Sequence, residues 1–352
     1  ASLEISDETL VVLFMGRLSF HAKAHPLAMY QALQKACTIT RKKVVLIECG
    51  WHANEAIAKA YTQAAELACP NVEIVHLDGR EVSNTKLAWA SADIFCSLSD
   101  NIQETFGISP IEAMAAGLPC VVSDWDGYRD TVRDGVDGIL VPTTMPQAGL
   151  GVDLAERYAL EVDSYDMYCG HTSSLVAVDV DFATEAFVTL FNSTETRQKM
   201  GAEGRKRALN VYEWKVIIPQ YEELWKDLEE LRQEKTTEVK SVSYPWPSRM
   251  DPFYSFDEYP TSVLALETLF VLVDTNSQDA LDRLKTYIQL AMVNYAKLVM
   301  PSIDEITQVL NKLQSGPISA GELVKQLPNN RQAYVFRSLL WLLKLNILKV
   351  YK

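Results

Sequence analysis

Short apolar runs alternate with longer stretches of mixed polarity over residues 10–142. The runs are "LVVLFMG" (10–16), "KVVLIEC" (43–49), "VEIVHL" (72–77), "DIFCSLS" (93–99), "PCVVSD" (119–124) and "GILVP" (138–142). Between them lie "HPLAMYQALQKACTI", "ANEAIAKAYTQAAELA", "SNTKLAWASA", "PIEAMAA" and "YRDTVRD", all of helix-like composition. Six β-rich runs separated by helices predict β-α units and a parallel sheet covered on both faces. The expected fold class is therefore α/β, a doubly wound, Rossmann-like parallel sheet. Ligands bind such sheets beyond the carboxyl ends of the strands. The loops after Gly16, Cys49, Leu77, Ser99, Asp124 and Pro142 are the places to search.

Beyond Pro142 the pattern turns irregular over residues 143–180, which include "DLAERYALEVDSYDMYCGHTSS". This insertion follows the last strand and is expected to overhang the cleft. Asp163, Tyr165, Asp166 and His171 would then face a ligand; the plainer expectation is a packing or subunit-contact loop. Two helices are predicted next. They are "FATEAFVTLFN" and, after "STETRQKMGAEGRKRALNVY", a long charged one through "WKVIIPQYEELWKDLEELRQEK". Residues 1–235 thus read as one domain. Residues 236–262 are rich in Pro, Ser and aromatic side chains and read as a linker, with Trp246, Phe253, Tyr254 and Phe256 available to pack. Residues 263–352 read as a small, mainly helical domain. Its tail, "PISAGELVKQLPNNRQAYVFRSLLWLLKLNILKVYK", predicts helix, turn, helix and a β-like end, a winged helix-turn-helix pattern.

Composition narrows the class. The chain has 352 residues, 48% hydrophobic and 22% charged, and a net charge of −13. That balance is globular, and it argues against nucleic acid or an anionic membrane surface as the main partner. Residues 240–352 carry a net +2, which leaves −15 on residues 1–239 and supports a boundary near 240. The cysteines Cys37, Cys49, Cys69, Cys96, Cys120 and Cys169 form no C-x-x-C pair and read as reduced, mostly buried thiols of a cytosolic protein. No apolar run reaches the roughly 18 residues that cross a membrane. No signal peptide is evident, and the chain opens without Met, so it is expected to be a piece of something longer.

The chemistry concentrates in "QETFGISPIEAMAAG" (103–117). Ser109, Pro110 and Glu112 spell a capping box, with Glu112 able to reach back to the Ser109 amide. Gly117 and Pro119 end that helix. On this reading Glu112 is structural and Glu104 is a solvated loop residue. A second reading uses the same geometry. The helix follows a strand, so its N-terminus faces the ligand crevice, where free N–H groups and the dipole favour a phosphate. Gly107 admits a ligand close to the backbone, and the two carboxylates are placed to accept from sugar hydroxyls.

"ETFGISPIEAMAAGLP" (104–119), after "ADIFCSLS" and before "PCVVSDWDG", resembles the E-x7-E signature of retaining GT-B glycosyltransferases of the family 4 (group 1) type. The resemblance extends to "GRLSFHAK" (16–23), "DGVDGILVP" (134–142) and "STETRQKMGAEGRKRALNVYEW" (193–214), and covers about residues 8–235. It implies the C-terminal, donor-binding half of such an enzyme. An acceptor, whether glycan, lipid or other, would be held by an N-terminal domain outside this chain. The resemblance further implies that Glu112 binds the nucleotide ribose and Glu104 the donor sugar, with Phe106, Gly107 and Ile108 presenting backbone amides. Arg17 and Lys23 would grip the diphosphate, although "GRLSFHAK" has one residue more than the usual spacing. Arg80, in "LDGRE", would cover the base. The implied catalytic set is Arg17, Lys23 and Glu104. The implied donor is a UDP- or GDP-linked sugar, with no cofactor and no metal. Two cations and helix N–H groups would stabilise the departing diphosphate, each worth on the order of 3 kcal/mol. Unlike a hydrolase pair, Glu104 and Glu112 read as binding groups.

The remaining motifs point elsewhere. "DWD" (124–126) has the form of a metal motif, but Asp124 suits a strand-terminal turn. His21, His25, His52 and His76 lack ligand spacing and read as structural. In the tail, only Arg331, Arg337 and Lys344 accompany the apolar helix, too few exposed cations for a nucleic-acid groove. That helix reads as buried or as a protein contact. The function expected is a retaining glycosyltransferase of the hexosyltransferase class, poorly active without its other half. The rivals are a non-catalytic nucleotide-sugar-binding or assembly subunit and a sugar-nucleotide epimerase of GT-B fold. The expected location is the cytoplasm, with peripheral placement at the inner membrane face as an alternative.

Overall fold

The computed structural model describes residues 5–6, 8–234 and 248–351. Its centre is a parallel sheet of β1 (Leu10–Met15), β2 (Val44–Gly50), β3 (Glu73–Asp78), β4 (Ile94–Ser97), β5 (Cys120–Ser123) and β6 (Gly138–Val141), in the order β3-β2-β1-β4-β5-β6. All six predicted strands are present. Helices α1 (Leu27–Thr40), α2 (Glu55–Ala68), α3 (Val82–Ser91), α4 (Ile108–Ala116) and α5 (Gly127–Thr131) connect them. Alternate strand residues enter different cores, because successive side chains point to opposite faces. Val12, Leu46 and Ile94 pack under α1 and α2; Leu13, Ile47 and Phe95 pack under α3 and α4. The strand order reverses between β1 and β4, and the crevice of such a sheet opens at that point beyond the carboxyl ends.

The stretch 143–180 is more regular than expected. It forms β7 (Thr143–Met145), α6 (Val152–Ala159), α7 (Tyr165–Ser173) and β8 (Ala177–Val178). Three helices then follow rather than two: α8 (Val180–Asn192), α9 (Thr194–Arg207) and α10 (Trp214–Glu234), with a π-helical turn at Ala208–Tyr212. The extra one, α9, starts at Ser193, whose hydroxyl accepts from the Thr196 amide. It packs on α4 through Gly201, where a Cβ would lie 2.0 Å from the Gly117 carbonyl oxygen. α10 leaves an apolar stripe exposed, including Trp214, Ile218, Tyr221, Trp225 and Leu228.

Of the expected linker, residues 236–247 with Trp246 lie outside the described residues. The rest is packed. Phe253, in the single turn α11 (Pro252–Ser255), is fully buried, while Tyr254 is exposed. β9 (Ser262–Val263) pairs with β7 to complete a small sheet, β8-β7-β9.

The C-terminal module is helical around a second three-stranded sheet that the sequence pattern did not predict in full. β10 (Leu269–Leu272) lies between β11 (Ile318–Ser319) and β12 (Leu348–Val350), antiparallel to both. Its helices are α12 (Ser277–Tyr287), α13 (Ala291–Asn294), α14 (Ile303–Leu313), α15 (Ala320–Val324) and α16 (Asn329–Lys344). α15, the turn, α16 and β12 match the helix-turn-helix pattern. Leu284, Leu339 and Leu348 join the same core as Leu33, Tyr61 and Phe187, so the apolar interior runs without a break from α1 and α8 into the module. Among the described residues no helix is long and apolar enough to cross a membrane.

Candidate functional site

β1 ends at Met15, and the chain turns over residues 16–25 before α1. Leu18 bonds back to β2's exit, its N–H donating to the Trp51 carbonyl at 3.0 Å. Lys23 and Ala24 both donate to the Ser19 carbonyl, at 3.0 and 3.3 Å. This tight turn absorbs the extra residue of "GRLSFHAK" and carries Lys23 back toward the crevice. There its ammonium meets the Glu104 carboxylate, from the loop after β4. Arg17 is half-buried beside the same turn and donates to the Ala22 carbonyl at 2.8 Å.

Glu104 is 7% exposed and has a second partner, Tyr128 on α5, whose hydroxyl donates to it at 3.2 Å. Burial, then the neighbouring Glu104 charge, raises the Tyr128 pKa well above its ordinary value. The phenol therefore stays protonated and can donate. Ser97 completes the relay, its Oγ 2.8 Å from the Tyr128 oxygen. Sequence reasoning missed Tyr128; the signal available was a tyrosine just beyond the carboxyl end of the neighbouring strand.

The capping box does not form. α4 starts at Ile108, one residue before Ser109, with Gly107 as N-cap at φ 75° and no side chain capping the end. Only glycine suits that φ readily, and a Cβ there would lie 2.1 Å from the Tyr128 ring. Pro110 fits inside the first turn because the N–H it lacks has no partner there. The first-turn amides are therefore open at the crevice. Glu112, in the second turn, does not bond the Ser109 amide, and no hydrogen bond or ion pair with the described residues holds it. Its side chain is exposed, although enough protein surrounds it to raise its pKa by partial desolvation. The exposure is the weightier fact for ligand binding, since it leaves the carboxylate reachable. Phe106 and Ile108 are exposed on the same rim, and the Phe106 ring stands edge-on to Tyr212 at 6.4 Å.

Lys23, Glu104 and the start of α4 are thus brought together. Arg80 is not. It sits at the end of β3, exposed, with its guanidinium forked onto Asp78 at 2.7–3.3 Å. With Trp51, His52 and His76 it borders a separate cleft of about 410 Å³. Most of the other candidates are held by structural partners. Asp163 is forked by Arg157 and bonds His171 at 2.9 Å in the interior, so neither residue faces the crevice. Tyr165 and Asp166 are exposed at the start of α7. The two carboxylates of "DWD" diverge: Asp124 bonds Arg129 and Thr261, whereas Asp126 interacts with Tyr259. Among the described residues no cluster of His, Cys, Asp or Glu is arranged to hold a metal. His25 Nε2 lies 3.0 Å from the Met292 carbonyl, and burial lowers its pKa to about 3. Burial also lowers His21 and His52, whereas a bond to Glu48 raises His76. The tail cations are likewise engaged: Arg331 pairs with Glu305, Arg337 with Asp153, and Lys344 with Asp100. The apolar helix α16 is buried, which removes it as a groove reader.

Fold and site together define a doubly wound α/β domain whose Lys23–Glu104 pair and open helix start gather where such sheets take ligands. Residues 1–150, which contain Arg17, Lys23, Glu104, Glu112 and Tyr128, match the family model described as glycosyl transferases group 1. A phosphatidyl-myo-inositol mannosyltransferase of Mycobacterium leprae is 54% identical over 56 residues, 16% of this chain and 14% of the relative. A D-inositol 3-phosphate glycosyltransferase of Corynebacterium glutamicum is 26% identical over 231 residues, 64% of this chain and 45% of the relative. Among solved structures, Anabaena Alr3699/HepE in complex with UDP-glucose is 17% identical with a TM-score of 0.42, covering 62% of this chain and 49% of that one. The chain spans less than half the length of each of these three.

Proposed function

We propose that this chain is the donor half of a retaining glycosyltransferase and binds a nucleotide-sugar, UDP- or GDP-linked, at the carboxyl ends of β1 and β4. The meeting of Lys23 and Glu104 beside the uncapped start of α4 carries this reading. A diphosphate would take the α4 amides, with Arg17 and Lys23 as its cations. Glu112, reachable and without a partner among the described residues, would accept from the ribose diol. Glu104, fixed by Tyr128, would accept from a hydroxyl of the sugar. In the transfer, the bond from the anomeric carbon to the diphosphate oxygen breaks and an acceptor hydroxyl oxygen bonds that carbon. The hydroxyl proton leaves with the diphosphate. The cations stabilise the charge that develops on the leaving group, each by on the order of 3 kcal/mol. On this reading an acceptor would be held by a further domain outside this chain.

Isothermal titration with UDP, GDP and ADP, and then with their sugars, tests the proposal. Saturable binding of one diphosphate is expected, weakened at least about tenfold by Glu112→Ala, as loss of a charge-assisted hydrogen bond predicts. Absence of binding by all three, or full affinity in Glu112→Ala, would refute it.

A further inference from the structure

Lys344 ends α16 and is buried. Its ammonium bonds the Asp100 carboxylate and the carbonyls of Ser173 at 2.8 Å and Val176 at 3.2 Å. Three acceptors match its three donors. Asp100 is equally buried, three residues past the end of β4, and its other oxygen accepts from the His25 amide at 3.3 Å. Its chain neighbours tie the same loops. Ser99 Oγ donates to the Lys23 carbonyl at 3.4 Å, and the Ser99 carbonyl accepts from Ser123 at 2.6 Å. Asn101 donates to the His21 carbonyl at 3.0 Å, and its own carbonyl accepts from the Trp125 indole at 3.1 Å. Residues 99–101 are therefore a junction where the loops after β1, β4 and β5 meet. Lys344 enters that junction from the C-terminal module.

We infer that Lys344 is a positioning residue of the donor site. By holding Asp100 it fixes the two loops that carry Lys23 and Glu104, so the C-terminal module sets the site's geometry without touching the ligand. The inference rests on the donor-site reading above. Stability alone does not explain the pair. Burial raises Asp100 and lowers Lys344, against their mutual attraction and hydrogen bond. Replacing a buried ion pair by apolar groups of similar size is often neutral or stabilising. What an apolar pair does not supply is the directional hold on Asp100 and, through it, on His25.

The test compares two double variants of the full chain. Asp100→Leu/Lys344→Met removes the junction pair; Asp153→Leu/Arg337→Met removes the pair between α16 and α6. In the first, the melting temperature is expected to hold or rise. Amide exchange in residues 17–26 and 98–108 is expected to quicken, with β2 and β3 unchanged, and the Kd for UDP to rise about tenfold. In the second, both loop exchange and UDP affinity are expected to stay at wild-type values, and Lys344→Arg is expected to retain most of the affinity. Wild-type loop exchange in the first variant, or equal loosening in both, would overturn the inference. Failure of the wild type to bind UDP, GDP or ADP would instead count against the donor reading, leaving loop exchange to decide this one. If the apolar pair does not fold, Asp100→Asn/Lys344→Met, which removes both charges and keeps the shape of residue 100, gives the same readout.

Discussion

Glu104 and Glu112 differ in what holds them. Glu104 is buried between Lys23 and Tyr128, whereas Glu112 is exposed and has no partner among the described residues. Tyr128→Phe is accordingly expected to destabilise the fold by about 1–2 kcal/mol, since a hydrogen bond to a charged group is lost and Ser97 is left without its phenol partner. Urea unfolding measures it, and an unchanged midpoint would show that Tyr128 does not support Glu104. Glu112 also shows how far local pattern reaches. Ser109-x-x-Glu112 and Ser302-x-x-Glu305 are the same motif. At α14 the box forms, with Ser302 and Glu305 bonding each other's amides. At α4 it does not, because Gly107 folds against Tyr128 and starts the helix two residues early. The motif was legible at both places; the packing that cancels one of them was not.

α4 is the element on which the candidate site depends, and two glycines set its place. Gly107→Ala is expected to cost about 2–4 kcal/mol, combining the left-handed φ with overpacking against Tyr128. Gly201→Ala, which presses a methyl onto the Gly117 carbonyl, is expected to cost about 1–3 kcal/mol and to shift α4 outward. Thermal unfolding with UDP titration reports both effects; wild-type stability in either variant would show that the helix packing adjusts freely. On α10 the opposite holds. Leu224→Gln/Trp225→Gln lies on its exposed stripe and is expected to change stability in this chain by less than about 0.5 kcal/mol. The β-α alternation foretold α1 to α5 closely, because each helix follows an apolar strand. It did not foretell α9, whose mixed composition hides a helix that needs only its glycines and Met200 to pack.

At the scale of the whole molecule, the C-terminal module is locked to the sheet domain by Lys344–Asp100, Arg337–Asp153 and the His25–Met292 bond. Lys344→Met alone is expected to destabilise by about 3–5 kcal/mol, because it strands a buried carboxylate, and Asp100→Leu added to it is expected to recover the whole of the loss; chemical denaturation of the single and double variants decides. His25 gives the contact a pH signature. In the unfolded chain its imidazole takes a proton as pH falls through 6.5, but in the folded chain burial delays this to about 3. The unfolded state thus binds more protons in that window, and stability falls with pH by about 1.4 kcal/mol per unit from this group. Urea midpoints at pH 7, 6 and 5 are expected to show the slope, and His25→Gln to flatten it. By itself the sequence determined the strands of the central sheet, most of the helices and the loops in which the site would lie, because those follow from the polarity of residues close along the chain. Only the tertiary structure decided which candidates meet. Lys23 reaches Glu104 across 81 residues and Lys344 reaches Asp100 across 244, and Arg80 turns to Asp78 instead. Such pairings depend on loop paths fixed by packing between distant segments, and no local pattern encodes them.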